Sequence, residues 1–187
     1  GSEMCIRDRE NNMKTNTQIK YLALTGLFAA MIFVVTAYLH IPTNAGYTHV
    51  GDGLIFLSAS ILPTPYAAAA AAIGGGLSDG LTGFITWMPA TIVIKAITSL
   101  FFTSKKETLL CKRNIIALVP SLALCICGYS LFEAIFMIGG FNNAAIAKAF
   151  ASTPAYCVQI GLSSVLYIAL AKVLDKMQIK KKLGITE

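Results

Sequence analysis

The sequence predicts an all-α membrane protein, built as a bundle of six transmembrane helices with both termini in the cytoplasm. Composition, the spacing of the apolar runs and the distribution of basic residues support this prediction. Of the 187 residues, 56% are hydrophobic and 13% are charged, and the mean hydropathy is +0.68, outside the usual range of soluble domains. At about 20 residues per span, this length allows one bundle and no separate soluble domain.

The apolar runs define six segments that we expect to be helices. They cover residues 20–39, 54–62, 66–81, 88–102, 115–138 and 155–174. The second segment is short for a transmembrane span unless its helix starts near Asp52 or the bilayer thins around it. An alternative model has five helices, with the second and third segments joined across Pro63-Thr64-Pro65.

The basic residues favour the six-helix model. That model places all but one of the basic residues considered on a single side of the membrane, which the positive-inside rule identifies as cytoplasmic. The exception is Lys148, and the others are Lys14, Lys20, Lys105, Lys106, Lys112, Arg113, Lys172, Lys176, Lys180, Lys181 and Lys182. The net charge of +6 then reflects cytoplasmic flanks that contact anionic headgroups of the lipid bilayer, and no nucleic-acid partner is expected.

The ends of the chain are set apart from the bundle. Residues 1–12 are polar and match neither a signal peptide nor a helix cap, so we expect a non-native or disordered leader. Residues 13–182 would form the single transmembrane domain and 183–187 a tail.

The five cysteines show no metal-ligand spacing, and phosphate-loop, zinc-protease and serine-hydrolase motifs are absent. We therefore expect no metal, no cofactor and no ATPase activity in this chain.

Four ionisable residues interrupt the apolar segments, namely Asp52, Asp79, Lys95 and Glu133. Charges within a bilayer are costly, so they usually pair or mark a functional site. We expect Asp79 and Lys95 to form a structural pair, with ligand contact by Lys95 as the alternative. Asp52 is expected to cap the second helix, again with ligand contact as the alternative.

Glu133 is the strongest candidate for a ligand contact, because no basic residue lies within a turn or two of it. A partner across the bundle or a bound proton remain alternatives. Gln159 offers a donor and an acceptor at a similar depth. Tyr129 and Tyr156 lie one turn before Glu133 and Gln159, respectively. Trp87 is either an interfacial anchor or part of the same site.

The first helix carries two small residues, Gly26 and Ala30, four positions apart. Such a pair allows another helix to approach closely. It serves either packing within the bundle or docking of a partner subunit.

Four motifs together resemble a known family. They are Gly51-Asp52-Gly53, the run from Gly74 to Asp79, the run from Pro89 to Lys95, and the run from Pro154 to Gln159. In this order they resemble the substrate-binding S component of energy-coupling factor (ECF) vitamin transporters, within the riboflavin-transporter-like superfamily. Tyr156 stands where an Asn is common in that family.

The resemblance implies a location in the cell membrane of a prokaryote and a specific set of partners. A small vitamin or vitamin precursor would bind from outside among helices four to six, covered by the first external loop. Helix one would dock on a transmembrane coupling subunit driven by two ATPase subunits, as part of an ABC importer. Two alternatives stay open: a solitary proton-coupled carrier, and a membrane enzyme or accessory subunit using Glu133 and Lys95 as acid and base.

Overall fold

The computed structural model describes residues 2–43, 46–138 and 143–185, which form a helical bundle with one short hairpin. A π-helical turn at Glu133–Met137 continues the helix that ends at Phe132. In chain order the elements are α1 (Ser2–Tyr38), β1 (His40–Thr43), β2 (Gly46–His49), α2 (Asp52–Ile61), α3 (Thr64–Leu81), α4 (Met88–Leu100), α5 (Lys112–Ile116), α6 (Leu118–Phe132), α7 (Asn143–Phe150), α8 (Thr153–Lys176) and α9 (Ile179–Leu183).

Three segments are long and apolar enough to cross a membrane. They are Thr15–Tyr38, Lys112–Met137 and Asn143–Lys176, while α2 and α4 are shorter apolar helices. The all-α membrane fold is therefore confirmed, and the exact number of spans and the side of each terminus stay predictions. Helix α1 begins at Ser2 and so runs through residues 2–12.

Helices α2 and α3 are separate, so the alternative of one joined helix is wrong. Leu62 ends α2 with ψ near 148°, and Pro63 precedes α3 with ψ near 147°. A residue that precedes proline is sterically disfavoured in the helical region, which explains the break at Leu62. Pro65 lies in the first turn of α3, where its missing N–H costs no helical hydrogen bond.

Small residues bring the helices together. Helix α1 packs on α3, α3 on α4, and α2 on α8. A Cβ at Gly74 of α3 would lie 2.7 Å from the carbonyl oxygen of Ala29 and 2.8 Å from Cβ of Ile32, so only glycine allows this approach of α1. Helix α2 is at the centre, because every residue from Asp52 to Ile61 is buried.

The segment between α4 and α5 is held by buried polar side chains. Asn114 accepts a hydrogen bond from the backbone N–H of Thr103 and donates one to the carbonyl of Leu109, at 2.8 and 2.9 Å. The Tyr167 hydroxyl also donates to Leu109, and Asp175 accepts from the backbone N–H of the same residue. These bonds fix the end of the bundle that the charge pattern places in the cytoplasm.

A hairpin and a short helix lie between the helices predicted from sequence. Strands β1 and β2 form an antiparallel hairpin in which His40 faces His49. Helix α7 occupies part of the segment between the fifth and sixth predicted helices. Its eight residues are too few for an apolar run to indicate a span.

Candidate functional site

A cavity lies at the hairpin end of the bundle. Its volume is about 50 Å³, enough for a few water molecules. Five of the six predicted ligand residues line it, together with side chains from α1, α2, α3 and β2. The lining residues are Thr36, Thr48, His49, Ile55, Gly75, Asp79, Trp87, Thr91, Lys95, Tyr129, Ser152, Ala155, Tyr156 and Gln159.

A buried ionic network crosses the inner wall of this cavity. The Lys95 ammonium of α4 lies 2.6 Å from Oδ1 of Asp52 at the start of α2. The side-chain amide of Gln159 on α8 donates to Oδ2 of the same carboxylate, at 2.7 Å. The three residues are at most 3% exposed. Both oxygens of Asp52 are therefore engaged, and the network ties three helices together.

The network corrects two predictions. Lys95 forms an ion pair with Asp52, and Asp79, the partner expected from sequence, also lines the cavity. Asp52 does not cap α2: Gly51 holds the cap position, no side-chain cap bond is present, and Asp52 is the first helical residue. A carboxylate in contact offsets much of the cost of burying an ammonium such as that of Lys95. The packing of α2 beside α4, which is not evident from sequence distance, supplies Asp52.

Glycines permit the close packing that brings this network together. A Cβ at Gly75 of α3 would lie 3.1 Å from a methyl group of Thr91 and 3.3 Å from Cγ of Lys95. A Cβ at Gly53 of α2 would lie 2.6 Å from the carbonyl oxygen of Ser163 on α8. Helix α8 can therefore approach α2 closely enough for Gln159 to reach Asp52.

Aromatic rings form a second wall. Tyr129 and Tyr156 are stacked, with ring centroids 5.6 Å apart and planes 19° from parallel. Trp87 meets Tyr129 edge to face at 5.9 Å. The Lys95 ammonium lies 5.3 Å from the centre of the Tyr129 ring, and the Tyr129 hydroxyl lies 3.0 Å from that of Thr91. Aromatic faces of this kind bind flat rings by stacking.

The end of the hairpin closes the cavity against α8. The Thr48 hydroxyl donates to the carbonyl of Ala155, at 3.1 Å, and lies 3.5 Å from Oε1 of Gln159. Nδ1 of His49 accepts a hydrogen bond from the backbone N–H of Gly51, at 3.1 Å. Burial lowers the pKa of His49 to about 4, and Lys95 lowers it further while Asp52 opposes the shift. His49 is therefore neutral at pH 7.

Glu133 lies outside the residues that line the cavity, in contrast to the prediction that it shares a site with Gln159. It is the first residue of the π-helical turn, one turn beyond Tyr129, and it is buried. One turn is a rise of about 5.4 Å along the helix, which places Glu133 beyond the tyrosine wall. Lys148 on α7 is close enough to act on its carboxylate electrostatically.

Sequence reasoning did not assign Thr36, Thr48, His49 and Thr91 to the site, although all four line the cavity. Two of these residues adjoin motifs that were recognised: His49 precedes Gly51-Asp52, and Thr91 lies within the run from Pro89 to Lys95. Their proximity to those motifs was the available signal. Thr36 has no such signal, because its apolar surroundings in α1 match any spanning helix.

The small-residue pair of α1 faces away from the bundle. Gly26 and Ala30 are exposed, and a Cβ at Gly26 would meet no atom within 4 Å. Internal packing of α1 instead uses Phe28, Ala29 and Ile32. Among the residues the structure describes, no packing role accounts for Gly26.

The family model of the S component of ECF-type riboflavin transporters matches residues 16–176 of the chain. The chain belongs to this family. The resemblance inferred from the four motifs is thereby confirmed. The S component is the membrane-embedded, substrate-binding part of a vitamin-uptake transporter, and not an enzyme. A comparison with curated proteins found no match.

Proposed function

We propose that this S component binds a small water-soluble vitamin, or a vitamin precursor, that carries a planar heteroaromatic ring. It takes the ligand up from outside the prokaryotic cell as part of an ECF-type importer. Family membership supports the transport role. The observation that carries the ligand class is the aromatic wall of Trp87, Tyr129 and Tyr156 beside the network of Asp52, Lys95 and Gln159.

The charges in the cavity favour a ligand that is held by stacking and hydrogen bonds. Lys95 and Asp52 neutralise each other, so neither needs a counter-charge from the ligand. The hydroxyl groups of Thr48 and Thr91 and the amide of Gln159 offer donors and acceptors to the edge of a ring. A cavity of about 50 Å³ holds only a few waters, so ligand entry requires the hairpin or Tyr156 to move.

The partners follow from the family and from the exposed face of α1. We infer that Gly26 and Ala30 contact a transmembrane coupling subunit, because small exposed residues allow close approach of another helix. Two ATPase subunits attached to that subunit would supply the energy. Enzymatic use of Glu133 and Lys95 is not favoured, because only Lys95 lines the cavity.

Mass spectrometry of small molecules that co-purify with the protein in detergent would identify the ligand. The identified compound is then titrated by fluorescence, because Trp87 is the only tryptophan in the chain and lines the cavity. Tyr156→Leu and Gln159→Leu should each weaken binding by about tenfold, from the loss of stacking and of a hydrogen-bonding pair worth about 1–1.5 kcal/mol.

Two matched variants complete this experiment. Tyr38→Leu removes an exposed tyrosine outside the cavity and should bind like the wild type. Glu133→Gln should also bind the ligand like the wild type. A large loss of affinity in this variant would instead support the site at Glu133 that was predicted from sequence. Wild-type affinity in both Tyr156→Leu and Gln159→Leu, with folding verified by thermal unfolding, would contradict the proposed site.

A further inference from the structure

A second, larger cavity lies at the opposite end of the bundle. Its volume is about 460 Å³. Its walls come from α1, the turn between α2 and α3, the segment after α4, and the two short helices α5 and α9. The lining residues are Tyr21, Pro63, Thr64, Pro65, Phe102, Thr103, Ser104, Lys105, Lys106, Glu107, Arg113, Lys180 and Ile185.

The lining of this cavity is cationic. Lys105, Lys106, Arg113 and Lys180 contribute four positive charges, and Glu107 contributes one negative charge. These residues come from three separate segments of the chain, and the fold brings them to one cavity. A basic flank that only obeys the positive-inside rule does not require such a cavity.

Lys180 is the most informative of these residues, because it is a buried cation with neutral partners. It is 3% exposed, and its ammonium donates to the carbonyl oxygens of Ser104 and Lys106, at 2.8 and 2.6 Å. Among the described residues, none of the carboxylates lies within 4 Å of it. An ammonium has three donors, so one remains for a further acceptor. Burial also lowers the pKa of Lys180, which an anion beside it would counteract.

Hydrogen bonds hold the wall that carries these cations. Asn114 fixes Thr103, and Asp175 accepts from the backbone N–H groups of Leu109 and Leu110. Lys180 itself bridges the segment after α4 to α9. A ligand would therefore meet preorganised donors and would lose little binding energy to ordering the loop.

We propose that this cavity is a binding site for a phosphate group, carried either by an anionic phospholipid headgroup or by a soluble phosphate compound. Phosphate offers several acceptor oxygens and at least one negative charge, which match the free donor of Lys180 and the side chains of Lys105 and Arg113. The site is separate from the vitamin cavity, and the proposal does not depend on the vitamin that is bound there.

The test uses the purified full chain and two probes. In detergent, thermal unfolding is followed against inorganic phosphate at constant ionic strength. In lipid nanodiscs, it is followed with phosphatidylcholine alone and with added phosphatidylglycerol. A saturable rise in the unfolding temperature with phosphate assigns a soluble ligand, and a rise only with phosphatidylglycerol assigns a lipid. If neither phosphate nor phosphatidylglycerol raises the unfolding temperature, the proposal is wrong.

Charge variants distinguish binding of the probe in the cavity from its non-specific attraction to the basic surface. Lys105 and Arg113 are exposed, so the double variant Lys105→Gln with Arg113→Gln should fold normally. It should weaken the apparent affinity by about 25-fold, at about fivefold for each cation removed. Glu107→Gln should strengthen it by about fivefold.

The matched control is the double variant Lys112→Gln with Lys181→Gln. These residues are exposed neighbours of Arg113 and Lys180 that do not line the cavity. The control removes the same charge, so it should retain wild-type affinity if the cavity is the site. An equal loss in the control would mean that the probe binds to the basic surface as a whole, and the proposed site would be rejected.

Discussion

At the scale of single residues, the contact between Asp52 and Lys95 joins helices that the sequence separates by 43 positions. Taking two charges out of water costs several kcal/mol per ion, and contact between them offsets this cost only when the remaining hydrogen-bonding positions are also satisfied. Gln159 meets that requirement for the second oxygen of Asp52. The three residues should therefore behave as one unit when they are substituted.

A double-mutant cycle tests this unit. Asp52→Asn or Lys95→Met alone strands a buried charge and should lower the free energy of unfolding by about 3–5 kcal/mol. The double variant should recover part of that loss, because no charge is left unpaired. Denaturant unfolding in detergent measures each value.

The control is a second cycle in which Asp79, the partner of Lys95 expected from sequence, takes the place of Asp52. Asp79→Asn combined with Lys95→Met should show no recovery relative to Lys95→Met alone. A larger coupling energy for Asp79 than for Asp52 would contradict the ion pair that the structure shows.

His49 gives a prediction about pH. Its pKa is near 4 in the folded protein, and an unfolded histidine titrates near 6.5. Between these values the unfolded state binds more protons, so the free energy of unfolding should fall as the pH is lowered from 6.5 to 4. The slope contributed by one such group is at most about 1.4 kcal/mol per pH unit.

The measurement is a series of unfolding titrations between pH 4 and pH 7.5, with His49→Gln as the reference. A glutamine can still accept the hydrogen bond of the Gly51 N–H but takes up no proton in this range. The wild type should therefore show the steeper dependence. Equal slopes in the two proteins would mean that His49 is not held neutral by burial.

At the scale of elements, α1 has two distinct faces. Phe28, Ala29 and Ile32 pack into the bundle, and Gly26, Leu27 and Ala30 lie on the outside, with Leu27 55% exposed. The two faces give opposite expectations for the same kind of substitution. A bulky residue on the outer face should disturb partners, and one at the inner contact should disturb the fold.

Gly26→Leu should reduce assembly with the coupling subunit by about tenfold or more and leave ligand binding intact, because its side chain meets only the partner helix. Co-purification with the coupling and ATPase subunits measures assembly. Gly161→Leu is the matched control, since a Cβ at Gly161 also meets no atom within 4 Å. Normal assembly of Gly26→Leu would show that this face contacts lipid alone.

The sequence predicted the principal helices and missed what depends on their packing. The bounds of α4 and α8 lie within two residues of the predicted segments, because long apolar runs are strong signals. Helix α7 is too short to be recognised in this way.

Asp79 was assigned to Lys95 because the two follow each other in neighbouring helices, whereas the adjacency of α2 and α4 is a property of the fold. Glu133 was placed in the site by its residue type, and its depth along α6 places it beyond the wall.

At the scale of the whole molecule, the charge pattern predicts the orientation. Single cysteines are introduced at Thr108, Lys181 and Asn143 in a cysteine-free background, and all three positions are exposed. With both termini cytoplasmic, an impermeant thiol reagent should label only Asn143→Cys in intact cells. Thr108→Cys and Lys181→Cys should react only after permeabilisation. Reaction of Thr108→Cys in intact cells would contradict the six-span orientation.

Helix α2 has a consequence for how the bilayer acts on this protein. Its ten residues span about 15 Å, half the thickness of a hydrocarbon core, but all ten are buried by other helices. The hydroxyls of Ser58 and Ser60 donate to carbonyls of the same helix, so these two groups need neither lipid nor water as a partner. Elastic stress from a thicker or thinner membrane therefore acts on α1, α6 and α8, while α2 remains insulated inside them. Because Asp52 opens this buried helix, its carboxylate should keep its place in the bundle when the membrane thickness changes, whereas Thr36, Tyr129 and Gln159 lie on the helices that tilt and should move relative to it.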